Sequence, residues 1–348
     1  MAAVCRTRAV ITLHSVPGSI TERSPRLDRD RLVRELVPPP RFDAERFGTY
    51  RPGPEHPSQA AAVARLEEYA DGLGPRPGRR WGFGRAKATE AKGIYLDGGF
   101  GVGKTHLLAS LWHAAEGTKA FGTFVEYTNL VGALGFQPTV DALSTHQLVC
   151  IDEFELDDPG DTVLMATLLG RLTEAGVSLA ATSNTLPDAL GEGRFAAEDF
   201  LREIQALSSR FEVLTIDGPD YRHTDALGSP APLSEEEVVA ATAADSALLD
   251  HFVDVTRHLS TVHPSRYRAM LDGVTAVGWT HVRPVTDQAV ALRLVVLVDR
   301  LYDAKIPVFA SGTPLHEIFS PEMLAGGYRK KYYRAISRLT SLAAHGNR

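Results

Sequence analysis

The residues Gly98-Gly99-Phe100-Gly101-Val102-Gly103-Lys104-Thr105 fit the spacing G-x-x-x-x-G-K-[ST]. Glycines at that spacing let successive backbone N–H groups turn inward and cradle a phosphate. Lys104 supplies a cation for the β- and γ-phosphates, and Thr105 a hydroxyl for Mg²⁺. The loop works only between a strand and a helix. Ile94-Tyr95-Leu96 reads as the strand before it and 104–115 as the helix after it. The start of that helix adds a partial positive charge at the same point.

A second group follows the apolar run Leu148-Val149-Cys150-Ile151, which ends in Asp152-Glu153. A buried strand ending in two acids places both at the carboxyl edge of a sheet, where open α/β sheets bind ligands. Asp152 would hold Mg²⁺ through its water shell. Glu153 would act on the attacking water as base or orienter. Val177 to Thr182 is the next apolar run, and it leads to Ser183-Asn184. Asn184 at that strand end would sense the γ-phosphate or begin a turn, and the two roles are compatible. Arg194, Arg202 and Arg210 follow, each a candidate to enter a neighbouring subunit's site and stabilise transition-state charge. In the helix-like stretch 328–338, Arg334 and Arg338 share a face. They could touch nucleotide, serve acidic partners, or face solvent.

These groups point to Mg²⁺-dependent hydrolysis of ATP by the additional-strand class of P-loop ATPases. No N-K-x-D motif for guanine occurs, and Asp157-Asp158-Pro159-Gly160 matches D-x-x-G too loosely to count. The histidines show no H-x-x-x-H or H-E-x-x-H pair, so no metal beyond Mg²⁺ is expected.

Around these groups the pattern alternates strand and helix. Strands are expected at 93–97, 122–127, 147–151, 177–182 and 212–216. Helices are expected at 58–73 (with Ser58 as its cap), 104–115, 160–175 and 198–209. Such alternation predicts a parallel sheet covered by helices on both faces. Residues 1–40 read as a flexible lead-in, 41–220 as the ATPase domain with an N-terminal helix, and 235–345 as a C-terminal domain. That second domain is expected to be a smaller α/β or helical part, with helices at 246–258, 287–303 and 328–344 and strands at 274–283 and 306–310. The loop 74–84, with Arg76, Arg79, Arg80 and Trp81, reads as a solvated linker or a contact for an acidic partner. An internal echo is present: Arg171-Leu172 before Val177 to Thr182 resembles Arg300-Leu301 before Ile306 to Ser311. With two copies, shared helix–turn–strand grammar accounts for it better than a repeat array.

Composition bounds the class. The chain has 348 residues, 44% hydrophobic and 23% charged, with a formal net charge of −6. These values suit a globular protein of about two domains and argue against nucleic-acid binding by charge alone. The two cysteines, Cys5 and Cys150, make no disulfide framework or zinc spacing, which fits a reducing compartment. No apolar run approaches the ~20 residues of a membrane span. The first 21 residues hold Arg6 and Arg8 and no acid, and read as a tail rather than a targeting helix.

The chain resembles the AFG-one-like ATPases. The resemblance rests on the block from Gly93 to Thr105, on Cys150 to Asp158 running on to Ala180-Ala181-Thr182-Ser183-Asn184, and on Asp220-Tyr221-Arg222. It also rests on Leu297 to Asp303 with Pro307 to Ser311, and on Arg334 to Leu339. It implies an AAA+-type fold, Mg-ATP dependence, and hydrolysis linked to homo-oligomers. For bacterial members it implies a cytoplasmic role in cell division, acting on the FtsZ ring, and it favours Arg194 as the arginine finger. Mitochondrial relatives act in protein quality control. The chain departs from the family pattern in a shorter interval between Lys104 and Asp152 and in extra residues across 193–200. The rival reading is a nucleotide-dependent adaptor or helicase-loader-like module that uses slow hydrolysis as a switch.

Overall fold

Five apolar runs of 26–226 form strands: β1 Gly93–Gly98, β2 Lys119–Thr123, β3 Leu148–Asp152, β4 Ser178–Ser183 and β5 Phe211–Ile216. They pair in parallel in the order β2-β3-β4-β1-β5. The computed structural model describes residues 18–26, 28–73, 93–99, 101–154, 159–186, 201–219 and 230–346. The loop 74–84, Phe100, Asp157-Asp158, Arg194 and Asp220-Tyr221-Arg222 lie outside these residues. The described residues fall into two compact units, 26–219 and 230–346 together with 18–25.

In the first unit seven helices surround the sheet: α1 Arg29–Arg34, α2 Pro57–Gly72, α3 Lys104–Ala114, α4 Phe124–Leu134, α5 Phe136–Leu143, α6 Pro159–Glu174 and α7 Leu201–Ser208. Successive strand residues point to opposite faces, and in β1, β3 and β4 both faces are covered, which is why these three strands read as nearly unbroken apolar runs. Tyr95, Val149, Ile151, Leu179 and Ala181 pack with α4 and α6. Ile94, Leu96, Leu148, Cys150 and Ala180 pack with Ala62, Leu66, Leu107 and Leu111 of α2 and α3.

Local chemistry corrects several sequence expectations. The segment 122–127 is not all strand, because α4 begins at Phe124. Thr123 Oγ1 accepts from Glu126 N (3.3 Å) and Glu126 Oε2 accepts from Thr123 N (2.7 Å), a reciprocal cap that starts the helix at once. Helix α2 is capped by His56, with Pro57 leading it, and not by Ser58; the Ser58 hydroxyl instead accepts from Asp217 N (3.0 Å). Part of the expected lead-in is packed chain. Ile20 and Leu36 are buried, and Leu36 O accepts from Phe121 N on the edge strand β2 (2.8 Å).

The second unit is α/β. Its strands β6 Ala247–His251, β7 Ala276–Val282 and β8 Val308–Gly312 form a parallel sheet in that order. Its helices are α8 Glu235–Ala241, α9 Phe252–Thr261, α10 Tyr267–Met270, α11 Gln288–Asp303, α12 Pro321–Ala325 and α13 Arg329–Gly346. The expected helix 246–258 is therefore strand β6 followed by α9. Val277, Trp279, Leu294, Val298, Tyr332 and Leu339 are among its core residues. Among the described residues no helix is long and apolar enough to cross a membrane.

Candidate functional site

The G-x-x-x-x-G-K-T loop joins β1 to α3, with Lys104 as the first residue of the helix. Gly103 has φ +89°, and a Cβ there would meet the Tyr50 ring at 2.6 Å. Gly98 is equally constrained: a Cβ would lie 2.3 Å from Ile216 O. Glycine is needed at both points for conformation and for space. Tyr50 Oη donates to Val102 O (2.8 Å), so residues before α2 brace the loop from outside. Thr49 Oγ1 and His106 Nε2 add a second brace at 3.0 Å.

The predicted polar residues converge at the carboxyl edge of β1, β3 and β4. Lys104 Nζ donates to Gly98 O (2.7 Å), Gly99 O (2.6 Å) and Asn184 Oδ1 (2.8 Å). Thr105 Oγ1 donates to Asp152 Oδ1 (3.0 Å). Thr182 Oγ1 donates to the same oxygen (2.6 Å) and accepts from Glu153 N (3.1 Å). Glu153 sits at φ +53°, a left-handed turn that ends β3 just past Asp152. Thr182 thus fixes both acids: one through its carboxylate, the other through its backbone.

Asp152 is 5% exposed. Burial, with the Glu153 charge beside it, pushes its pKa up to about 6. Hydrogen bonds from Thr182 and Thr105, and the charge of Arg41, act against the rise. A buried carboxylate with a hydroxyl at 3.0 Å is an all-oxygen donor pair, suited to a hard cation such as Mg²⁺ that brings its remaining ligands as water and phosphate. Among the described residues no group of three or more His, Cys, Asp or Glu could hold a metal by itself.

Sequence reasoning missed Thr182, Tyr50 and Arg41. Arg41 lies in a 3-10 turn, Pro40–Phe42, just past the stretch expected to be flexible, and its guanidinium sits 4.7 Å from the Phe42 ring centroid. The sequence signal at Thr182 was its place one residue before Ser183-Asn184 on a strand adjacent to Asp152. Tyr50 and Arg41 carried no local signal.

The arginines separate. Arg202 is exposed on α7. Arg210 Nη1 donates to Thr173 Oγ1 (2.6 Å), so this guanidinium is engaged within its own unit. Arg334 Nη2 pairs with Asp299 Oδ2 (3.1 Å), and Arg338 Nη1 pairs with Asp299 Oδ1. The Arg338 guanidinium also lies 5.1 Å from the Tyr302 ring centroid. Both charges hold α13 to α11 within the second unit. The Asp299 carboxyl is held below its ordinary pKa range: its burial opposes the shift and the two arginines outweigh it.

A phosphate-binding loop on β1, an acid pair on β3, and β4 inserted between them define an additional-strand P-loop ATPase. The chain belongs to the AFG1-like ATPase family, whose model matches residues 27–244 and 225–347; it is an ATPase. It is 27% identical over 316 residues to the cell division protein ZapE of Escherichia coli K12, covering 78% of this chain and 83% of that protein. An uncharacterised Schizosaccharomyces pombe protein, C115.02c, is 31% identical over 149 residues, 38% of this chain and 33% of its own. Among solved structures, DnaI aligns over 51% of this chain and 94% of its own at 17% identity and TM-score 0.39. AMPPCP-bound DnaA from Aquifex aeolicus aligns over 49% and 50% at 14% identity and TM-score 0.38.

Proposed function

We propose that the protein hydrolyses Mg-ATP to ADP and phosphate and couples the reaction to remodelling of a protein partner. Supporting this is the convergence of Thr105, Asp152, Thr182 and Glu153 on one sheet edge, opposite Lys104 and Asn184. In this reading the loop Gly98 to Gly103 cradles the phosphates, with Phe100 and Val102 contributing backbone. Lys104 exchanges its carbonyl partners for β- and γ-phosphate oxygens. Thr105 and Asp152 would hold Mg²⁺, which would supply charge neutralisation to the phosphates. Glu153 aligns and deprotonates the attacking water. Asn184, already on Lys104, reports the γ-phosphate. Arg194 of an adjacent copy completes the site in trans.

The ZapE relative, by its name, supports a role in cell division; we place that role in the cytoplasm, with FtsZ filaments as the partner to test. Turnover measured with and without FtsZ, and with and without single-stranded DNA, decides the coupling. Stimulation by FtsZ alone supports the remodelling reading. Stimulation by DNA alone supports the adaptor or helicase-loader reading. The feature that favoured the adaptor, the basic stretch 328–338, is weakened by the pairing of Arg334 and Arg338 with Asp299. Subunit mixing tests the assembly: Arg194→Ala chains added to Lys104→Ala chains should regain activity, because one composite interface keeps every part. No complementation, with activity independent of protein concentration, would refute the trans arginine.

A further inference from the structure

Strands β6-β7-β8 follow β2-β3-β4 in order, direction and register as far as Trp279, beyond which β7 shifts register against β8. Helix α4 starts Phe124-Val125-Glu126-Tyr127-Thr128, and α9 starts Phe252-Val253-Asp254-Val255-Thr256, each directly after the edge strand. Phe124, Tyr127 and Val131 are buried on α4, and Phe252, Val255 and Leu259 at the matching places on α9. Thr128 Oγ1 donates to Val125 O (3.1 Å) and Thr256 Oγ1 to Val253 O (2.9 Å). The helix after the middle strand has 16 residues in both copies, α6 and α11. Both close with the same bonds: Ala175 N to Arg171 O and Val177 N to Leu172 O, against Ala304 N to Arg300 O and Ile306 N to Leu301 O. The turn residue is left-handed each time, Gly176 at φ +83° and Lys305 at φ +56°. Even the edge coverings agree: Phe121 N donates to Leu36 O and Leu249 N donates to Gly18 O.

The register then fixes the equivalences at the functional edge. Ile151 pairs with Ala181, and Trp279 with Ala310. One residue on, Thr280 stands in the place of Asp152, and His281 in the place of Glu153. Glu153 and His281 are two of the three non-glycine residues with positive φ among the described ones, at +53° and +55°. The amide of Glu153 goes to Thr182 Oγ1 at 3.1 Å, and that of His281 to Ser311 Oγ at 3.2 Å. Thr182 and Ser311 are equivalent by the same register. Shared helix–turn–strand grammar fixes neither an off-sheet φ nor a hydroxyl from the neighbouring strand, so it does not account for this agreement.

We infer that the second unit is a degenerate copy of the β2–β4 half of the ATPase core, with its hydrolytic edge silenced. This rests on reading Asp152-Glu153 as the hydrolytic pair. Among the described residues the copy has no counterpart of β1 or of the loop after it, and a hydroxyl and an imidazole stand where the first unit has its two acids. The His281 ring pairs with Glu235 of α8 (2.7 Å) and stacks on His251 at 4.6 Å, where the equivalent residue in the first unit is the cap Thr123. The edge therefore carries a surface ion pair and a ring stack within its own unit in place of the acids. Among the described residues this leaves one nucleotide site and one hydrolytic edge, and makes the second sheet a non-catalytic scaffold of the same origin.

The test uses the full chain. Calorimetry with Mg²⁺ and the non-hydrolysable analogue AMPPCP should give one nucleotide per chain, and none in Lys104→Ala. His281→Gly should turn over ATP at the wild-type rate. His281→Val, a β-branched residue forced to positive φ, should melt at least ~2–4 °C below His281→Gly, and Ser311→Ala should melt below wild type. A second nucleotide that survives Lys104→Ala, or a tenfold loss of turnover in folded His281→Gly, would overturn the silent edge. Equal melting of His281→Val and His281→Gly would overturn the equivalence with Glu153. If wild type binds no nucleotide, the P-loop reading fails, while the melting comparison still judges the repeat.

Discussion

Asp152→Asn separates the stability cost of the buried carboxylate from its part in the reaction. Burial and the neighbouring Glu153 raise the Asp152 pKa from 3.8 to about 6. Each pKa unit is ~1.4 kcal/mol of preference between protonation states, so the rise corresponds to ~3 kcal/mol. The folded chain holds this proton more tightly than the unfolded one. The stabilising contribution is thus fully present below pH 3.8 and is lost as pH rises through about 6. Asn has no proton to lose there, and its Oδ1 can still accept from Thr105 and Thr182. Urea denaturation of nucleotide-free protein should show the variant gaining on wild type by ~2 kcal/mol between about pH 4 and pH 7.5. Its ATP turnover should be lost at every pH, because the amide cannot hold Mg²⁺ as a carboxylate does. A stability difference that is flat with pH, or that runs the other way, would show the carboxylate to be solvated and refute the burial argument.

Four further outcomes are expected. Lys104→Ala should abolish Mg-ATP binding measured by calorimetry; wild-type affinity would defeat the loop assignment. Glu153→Gln should bind ATP normally and hydrolyse it ~10²-fold more slowly or worse, the scale of a lost general base; normal turnover would place the base elsewhere. Gly103→Ala should cost ~1–3 kcal/mol in chemical denaturation, from the clash with Tyr50 and the strain at positive φ together. Tyr50→Ala should relieve only part of it, and full rescue would mean that space alone is limiting. Asp299→Ala should destabilise the chain by ~3 kcal/mol, because it leaves Arg334 and Arg338 facing each other without their shared carboxylate. A neutral result would mean that both guanidinium groups reach water.

The sequence by itself determined the parts that act locally. A phosphate loop is a matter of consecutive backbone conformations, so Gly98 to Thr105 were legible as they stand. A strand buried on both faces must be apolar throughout, so β1, β3, β4 and the acids closing β3 could be placed to within about two residues. Other features were decided by contacts between segments distant in the chain. Phe124 to Tyr127 read as strand by composition, and the Thr123–Glu126 cap turned them into helix. Thr182 became the residue that fixes both acids only when β4 was laid beside β3. Tyr50 and Arg41 reached the site through packing of a segment that has no periodicity of its own. The partners of Arg210, Arg334 and Arg338 were invisible because a sequence shows a cation and not its partner; Thr173 lies 37 residues from Arg210, and Asp299 lies 35 and 39 residues from Arg334 and Arg338. The same holds for the likeness between His281 and Glu153, two different residue types joined by a shared dihedral and a shared hydroxyl, which no comparison of side chains along the chain could reveal.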